Sequence, residues 1–439
     1  MTVALGHHRF DLSAWKLAAL AAALLPSLAN ATGGATADRV IGSPEPGWPQ
    51  WRGIWRDGVS RETGLLPAWP EGGPPRLWTV SGLGRGWSSP IITHGSIYIT
   101  GDVGGSLVIF AFDLDGRPLW QAQNGGCWTT NYPGARSSCT YHRGRIYHMN
   151  AHGRVVCLDA ATGRERWAVN VLEQFEGSNI TWGLSECLLV DGSRVFVGAG
   201  GKKGQMVALD TETGRTVWAS SSIEGDRAGY ASPLLFEWGG LRHLVSGSSR
   251  HAYGVCADTG RLLWTFHQPT KHEILAATPV YLGEGRVAVL RAASPACTLL
   301  SLSIAGADVC VREVWTARLG NYHGGVVLYG GRLYGSGFHK PAQAAGWGCA
   351  DAHTGEILYT TRELPRGGSC IWADGRVYAL AENGVMALLK PTPGGFEVAG
   401  RFTLVEARNN DAWAHPVLLD GRLYLRYHDT LYCYDVRRK

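Results

Sequence analysis

A glycine-centred turn between two apolar runs is written eight times along this chain, and no other feature limits its fold as tightly. It reads THGSIY (93–98), HRGRIY (142–147), VDGSRVF (190–196), GGLRHL (239–244), GEGRVA (283–288), YGGRLY (329–334), ADGRVY (373–378) and LDGRLY (419–424). Asp-Gly and Gly-Gly between alternating apolar residues are the strongest short-range hairpin signal. From Gly95 to Gly421 there are 326 residues over seven intervals, a mean period near 47. A period of that length with several strands per unit predicts the blades of a propeller.

A second element recurs within the unit: LDAATGRERW (158–167) returns as LDTETGRTVW (209–218). Asp159 and Thr162 are expected to bond amides of the turn, and Gly163 to take its left-handed position. The tryptophan that ends the unit is expected to pack between neighbouring sheets, where a large apolar face is buried. Trp120, Trp167, Trp218, Trp264, Trp315 and Tyr359 hold this position. The seventh unit, LLKPTPGGFEVAG (388–400), keeps a turn and lacks the tryptophan. The eighth stops at CYDVRRK before a fourth strand, yet RLWTV (76–80) has the pattern of that missing strand. The expected fold is all-β: eight four-stranded antiparallel blades, the ring closed by Trp78 and its neighbours. Closure protects edges that an open array would expose.

Composition agrees with one such body, with 60 Gly and 18 Trp but 18% charged residues. The net charge of +5 comes largely from arginines spread over the repeat turns. Nucleic-acid binding, which needs a clustered basic face, is therefore not expected. His7, His8, Arg9 and Lys16 precede the apolar stretch LAALAAALLPSLA (17–29), which is too short to span a bilayer. The segments read as a signal peptide (1–31), a leader with a Trp-rich docking segment (32–75) and the propeller (76–436). The mature chain is expected to be periplasmic or secreted, without a membrane span, and monomeric. Cys157, Cys256, Cys349 and Cys433 share one repeat position, and Cys139, Cys187 and Cys370 another. Equivalent positions on different blades lie too far apart to bridge, so buried single thiols are expected. Cys127 with Cys139, or Cys297 with Cys310, remain possible pairs within a blade.

These units, with A-L-D-x-x-T-G-x-x-x-W at their core, resemble the pyrroloquinoline-quinone (PQQ) repeat. The order WPQWRGIWRDGVS, GRGWSSP, TWGLSECLLVDG, GDRAGYASP looks like that of exported PQQ-like propellers common in planctomycetes. The resemblance implies an eight-bladed ring of the kind found in quinoprotein alcohol dehydrogenases and in the outer-membrane assembly lipoprotein. It implies PQQ and Ca²⁺ as the cofactors to consider. The chain departs from the enzymes in having no adjacent cysteine pair, and from the lipoprotein in lacking the lipid-bearing cysteine.

Propeller loops at one mouth of the channel carry function while the sheets carry the fold. Here the segments leading into each first strand are expected to line that mouth. They place Trp87, Arg136, Tyr230, Tyr322 and Trp413 three residues before a shared position, with Trp182 close by. Such a ring would clamp a flat quinone, Arg136 facing a carboxylate, or would fill the channel as a plug. Glu186, Asn179, Asp226, Asn410 and Asp411 are the oxygen donors to nominate for Ca²⁺, and Asp411 or Glu186 the general base. Turn capping is the alternative role for these acids and amides. WPQWRGIWRDG (48–58) reads as a segment that docks its indoles on the ring, or as a carbohydrate platform. The leading expectation is an exported module that binds a ligand, or an exported or outer-membrane protein; a PQQ-dependent dehydrogenase and a polysaccharide binder are the alternatives.

Overall fold

The computed structural model describes residues 37–320, 323–337, 346–365, 367–406, 408 and 410–438. The signal-peptide reading and Tyr322 fall outside them. Strands gather into eight antiparallel sheets, six of them four consecutive strands in chain order and a seventh four consecutive strands with Arg39–Val40 added at one edge. The eighth contains Val417–Leu419, Arg422–Tyr427 and Thr430–Asp435, completed by Arg76–Val80. Trp78 stands opposite Cys433 and Arg76 opposite Tyr434, so the ring closes as the sequence implies. The blades are numbered 1 to 8 from Ile91–Thr93 onward. First strands of blades 1, 2 and 3, and those of blades 5, 6 and 7, touch one another in turn on the side of the axis.

The repeat turn works as a latch between blades. In blade 2, Thr162 N and Oγ1 donate to Asp159 Oδ1 at 3.1 and 2.8 Å, and Gly163 has φ +70°. A Cβ on Gly163 would stand 2.5 Å from the indole of Trp120, from blade 1. The Trp120 Nε1 donates to Ala160 O at 3.0 Å. Trp167 repeats the arrangement on Gly214 and Thr211 O of blade 3, and Trp218 on Gly260 and Ala257 O of blade 4. Trp78 carries it across the closure to Gly116 and Leu114 O. Each such glycine thus meets two demands, a positive φ and a bare surface for the preceding blade's indole.

Blade 7 lacks the closing tryptophan on its outer strand, and the leader supplies one. Trp69 N donates to Ala399 O of the outer strand at 2.9 Å, and its ring lies 5.7 Å from Tyr378. Trp120, Trp167 and Trp218 lie 5.8, 6.0 and 5.8 Å from the corresponding Tyr98, Tyr147 and Phe196. The indole also packs on Phe402, which meets Tyr434 of blade 8. Trp69→Ala is expected to cost about 3 kcal/mol, the usual loss for a large core aromatic. Urea titration would show a lowered midpoint with an unchanged slope.

The rest of the leader occupies the axis, and between Arg39 and Glu62 it bonds to all eight blades. Arg39–Val40 pairs with the first strand of blade 4. Trp48 exchanges backbone hydrogen bonds with Ile92 of blade 1, and Tyr141 N of blade 2 donates to Pro49 O. Arg56 Nη2 and Nη1 donate to Cys187 O and Leu188 O, which open blade 3, at 2.8 and 3.1 Å. Trp51 Nε1 reaches Thr278 Oγ1 before blade 5, and Arg52 Nη2 reaches Val326 O of blade 6 at 2.7 Å. Ser60 N donates to Trp372 O of blade 7, and Glu62 accepts from Asp420 N and Gly421 N of blade 8. The segment lies in the channel and not on the outer surface. Trp48 is buried there, while Trp55 is exposed.

All ten cysteines are free thiols, and eight are buried. The alternative pairing of Cys297 with Cys310 fails on register, since Cys297 faces Ala317 and Cys310 faces Ser303. Cys127 and Cys139 are likewise unpaired.

Candidate functional site: an aromatic cup at the channel mouth

The chain crosses the end of the axis once before each first strand, and these crossings form a hydrogen-bonded belt. Ser138 Oγ donates to Ser89 O at 2.8 Å, and Ser89 N to Ser138 Oγ at 2.9 Å. Cys187 N donates to Ser232 Oγ, and His415 N to Ser89 Oγ. Above this belt lies a cavity of about 480 Å³ lined by Trp87, Arg136, Trp182, Tyr230, Asp411 and Trp413. These are six of the residues nominated from sequence, and they surround space instead of filling it. Trp51 of the leader also lines the cavity and forms its floor, its ring 4.4 Å from that of buried His415.

Trp87 and Trp413 lie 4.9 Å apart with planes 35° from parallel, and Tyr132 lies 5.4 Å from Trp413. Trp87 Nε1 donates to Asp411 O at 3.1 Å, which ties blade 1 to the crossing before blade 8. The Arg136 guanidinium sits over Trp87 and Trp128, 5.6 and 5.7 Å from their centroids. Burial brings its pKa down to about 10, opposed by Asp102, so it stays charged at neutral pH. Its Nη2 donates to Tyr132 O, while its Nη1 is buried without a protein acceptor. Burial raises Asp102 to about 6 against the pull of Arg136. His323 is brought down to about 4 by burial, and its ring packs 4.8 Å from Trp413. The wall is thus aromatic, with the Arg136 cation, the Asp411 and Glu382 carboxylates and neutral His323 also lining it.

The oxygen donors nominated for a metal are not gathered here. Asn179 Nδ2 donates to Ala151 O and its Oδ1 accepts from Ile180 N. Asp226 is enclosed by Ser248, Arg250 and His251. Asn410 exchanges backbone hydrogen bonds with the Tyr427 hydroxyl. Asp411 pairs with Arg408. Glu186 does not reach the cavity; it is buried, accepts Gly198 N at 3.0 Å and feels the charge of Arg56. Burial pushes its pKa up to about 8, so it holds its proton at neutral pH. Among the described residues, no group of three or more His, Cys, Asp and Glu is placed to hold a metal ion.

Sequence reasoning passed over Trp51, Tyr132, His272, Ala276, His323 and Glu382, which also line the cavity. Ala276 had a signal: it stands three residues before Pro279, the register position that selects Trp87 and Arg136. His272 and Tyr132 sit in loops of unequal length, where register arguments end.

The family described as outer membrane protein assembly factor BamB, built of PQQ repeats, matches residues 105–361, more than half of the chain. The chain belongs to this family. The BamB of Nitrosomonas eutropha is 28% identical over 154 residues, 35% of this chain and 32% of that protein. The quinohemoprotein alcohol dehydrogenase ADH-IIG of Pseudomonas putida is 28% identical over 167 residues, 34% of this chain and 22% of the enzyme. The matches therefore span a third or less of these relatives. The quinohemoprotein alcohol dehydrogenase of Comamonas testosteroni superposes with a TM-score of 0.64 at 14% identity, covering 90% of this chain and 81% of that one. At such identity the likeness concerns the ring alone, and the BamB family holds both kinds of relative on one repeat.

Proposed function

We infer that this BamB-family ring is an exported binding module whose mouth cup holds a flat, ring-bearing ligand with a carboxylate. One observation carries the reading: rings from the leader and several blades, with one guanidinium, border a 480 Å³ cavity. That volume lies in the range of small-molecule sites. Stacking between Trp87, Trp413 and Tyr230 would supply affinity, and Arg136 would select an anionic oxygen. The aromatic and cationic parts of this wall suit a quinone such as PQQ. The metal part does not, because Asn179 and Asp226 are spent on protein partners and Glu186 lies behind the wall. Ligand capture without redox turnover is the reading supported.

The test is calorimetric titration with PQQ and with naphthalene-2,6-dicarboxylate, each with and without Ca²⁺. Binding independent of Ca²⁺ is expected, weakened on the order of tenfold to a hundredfold by Arg136→Leu, the loss of one charged hydrogen bond. No heat with either probe would refute the ligand reading. Alcohol oxidation with PQQ and Ca²⁺ would instead restore the dehydrogenase alternative.

A further inference from the structure

Two arginines in the bore have no surface role. Arg52 and Arg56 are 4% and 2% exposed, and their acceptors are largely backbone carbonyls. Arg52 Nε and Nη2 donate to Arg56 O and Asp57 O within the leader, and Nη2 also to Val326 O of blade 6. Arg56 donates to Cys187 O and Leu188 O, and its Nη1 also to Gln50 Oε1. Gln50 Nε2 in turn donates to Ile54 O at 2.8 Å. The segment is thus folded back on itself into a compact knot, which presents two forks and two indoles outward to the ring. Arg52 and Arg56 emerge at two positive-φ residues, +61° and +55°, so the turn is shaped to aim them.

The ring meets this knot with groups that strand pairing leaves over. First strands of a propeller have one edge facing the axis, and its carbonyls need donors. Here the leader supplies them, by strand addition on blade 4, by exchanged backbone bonds on blade 1 and by guanidinium on blades 3 and 6. Backbone addition with side chains seated in pockets is the mode by which sheets capture extended peptides. The same segment puts Trp51 under the cup, held by Thr278 Oγ1 and by a tilted contact with the His415 ring.

We propose that the bore of the ring is a receptor for an aromatic–arginine peptide, filled in cis by residues 38–62, and that the cup is complete only while this segment is seated. Covalent linkage explains why the occupant is always present: tethering raises its local concentration at the bore. Glu62 and Trp69 fasten its exit at blades 7 and 8. Beyond them, Gly72 is exposed, and a side chain there would meet nothing within 4 Å.

The experiment uses the folded full chain with a specific protease site placed at Gly72. After cleavage, the ring is incubated in urea below its unfolding transition with a fluorescent peptide of residues 38–72, which retains Trp69, then filtered. The expected result is exchange of the cut segment for the labelled peptide. A peptide carrying Arg52→Ala and Arg56→Ala should enter at least about tenfold less well, since each change strands buried carbonyls. Rings emptied of the segment should lose protection of the mouth indoles against acrylamide quenching and regain it with the wild-type peptide. Equal entry of the alanine peptide would overturn the proposal. So would a folded ring that releases its segment and takes up none, or one that never releases it short of unfolding. Because no cup ligand is used, the outcome is separate from that of the titrations with PQQ.

Discussion

Trp167→Ala is expected to destabilise the ring by about 3 kcal/mol, the lower end of the range for a large core aromatic, because the indole is partly buried. The indole closes blade 2 against Gly214 of blade 3 and donates to Thr211 O at 2.9 Å. Its loss opens a cavity between sheets and strands a carbonyl. Trp167→Phe keeps most of the contact and loses the donor, and about 1 kcal/mol is expected. Gly214→Ala attacks the latch from the other side. Its Cβ would stand 2.7 Å from the Trp167 ring at φ +70°. With Trp167→Ala already in place the steric part vanishes and only the backbone strain remains. The double-mutant cycle is therefore expected to show a coupling of at least about 1 kcal/mol. Additive effects would mean that the glycine and the indole do not form one latch.

The second large effect is the pH dependence of stability set by Glu186. Burial raises this carboxyl to about 8, opposed by the Gly198 amide and by Arg56. Unfolded, it returns to the ordinary glutamate value of about 4.5. Between these limits the folded state holds one more proton than the unfolded state, so stability falls as pH rises. Its contribution is whole below about 4.5 and is lost as pH passes about 8. The slope approaches about 1.4 kcal/mol per pH unit within that window. Buried His148 and His243, both lowered to about 4, act in the opposite sense up to the ordinary histidine range. The comparison of wild type with Glu186→Gln isolates the carboxyl. Urea titrations at pH 5 and pH 8 should show the difference in stability between the two proteins changing by more than about 2 kcal/mol. A pH-independent difference would mean that Glu186 does not carry the proton.

Much of the fold was legible because the repeat writes local chemistry. The Asp-x-x-Thr-Gly turn and the closing tryptophan each need particular residue types, and those types recur at a fixed spacing. The mouth was legible for the same reason, since register alone pointed to Trp87, Arg136, Tyr230 and Trp413. Glu186 and Asn179 were harder to read, because the same residue type serves as ligand, cap or buried proton holder according to what surrounds it. In the structure, Glu186 faces Gly198 behind the wall and Asn179 caps a turn.

What the sequence determined by itself is the number of blades, the strand that closes them and the crossings that make the mouth. These follow from periodicity and turn chemistry, which act over a few residues. The tertiary structure decided the path of the leader. Whether a Trp- and Arg-rich segment lies on a surface or in a bore depends on the edges left unpaired once all eight blades stand in a circle. That same circle decided that Trp69 completes blade 7, that Trp51 floors the cup, and that the aromatic residues enclose space.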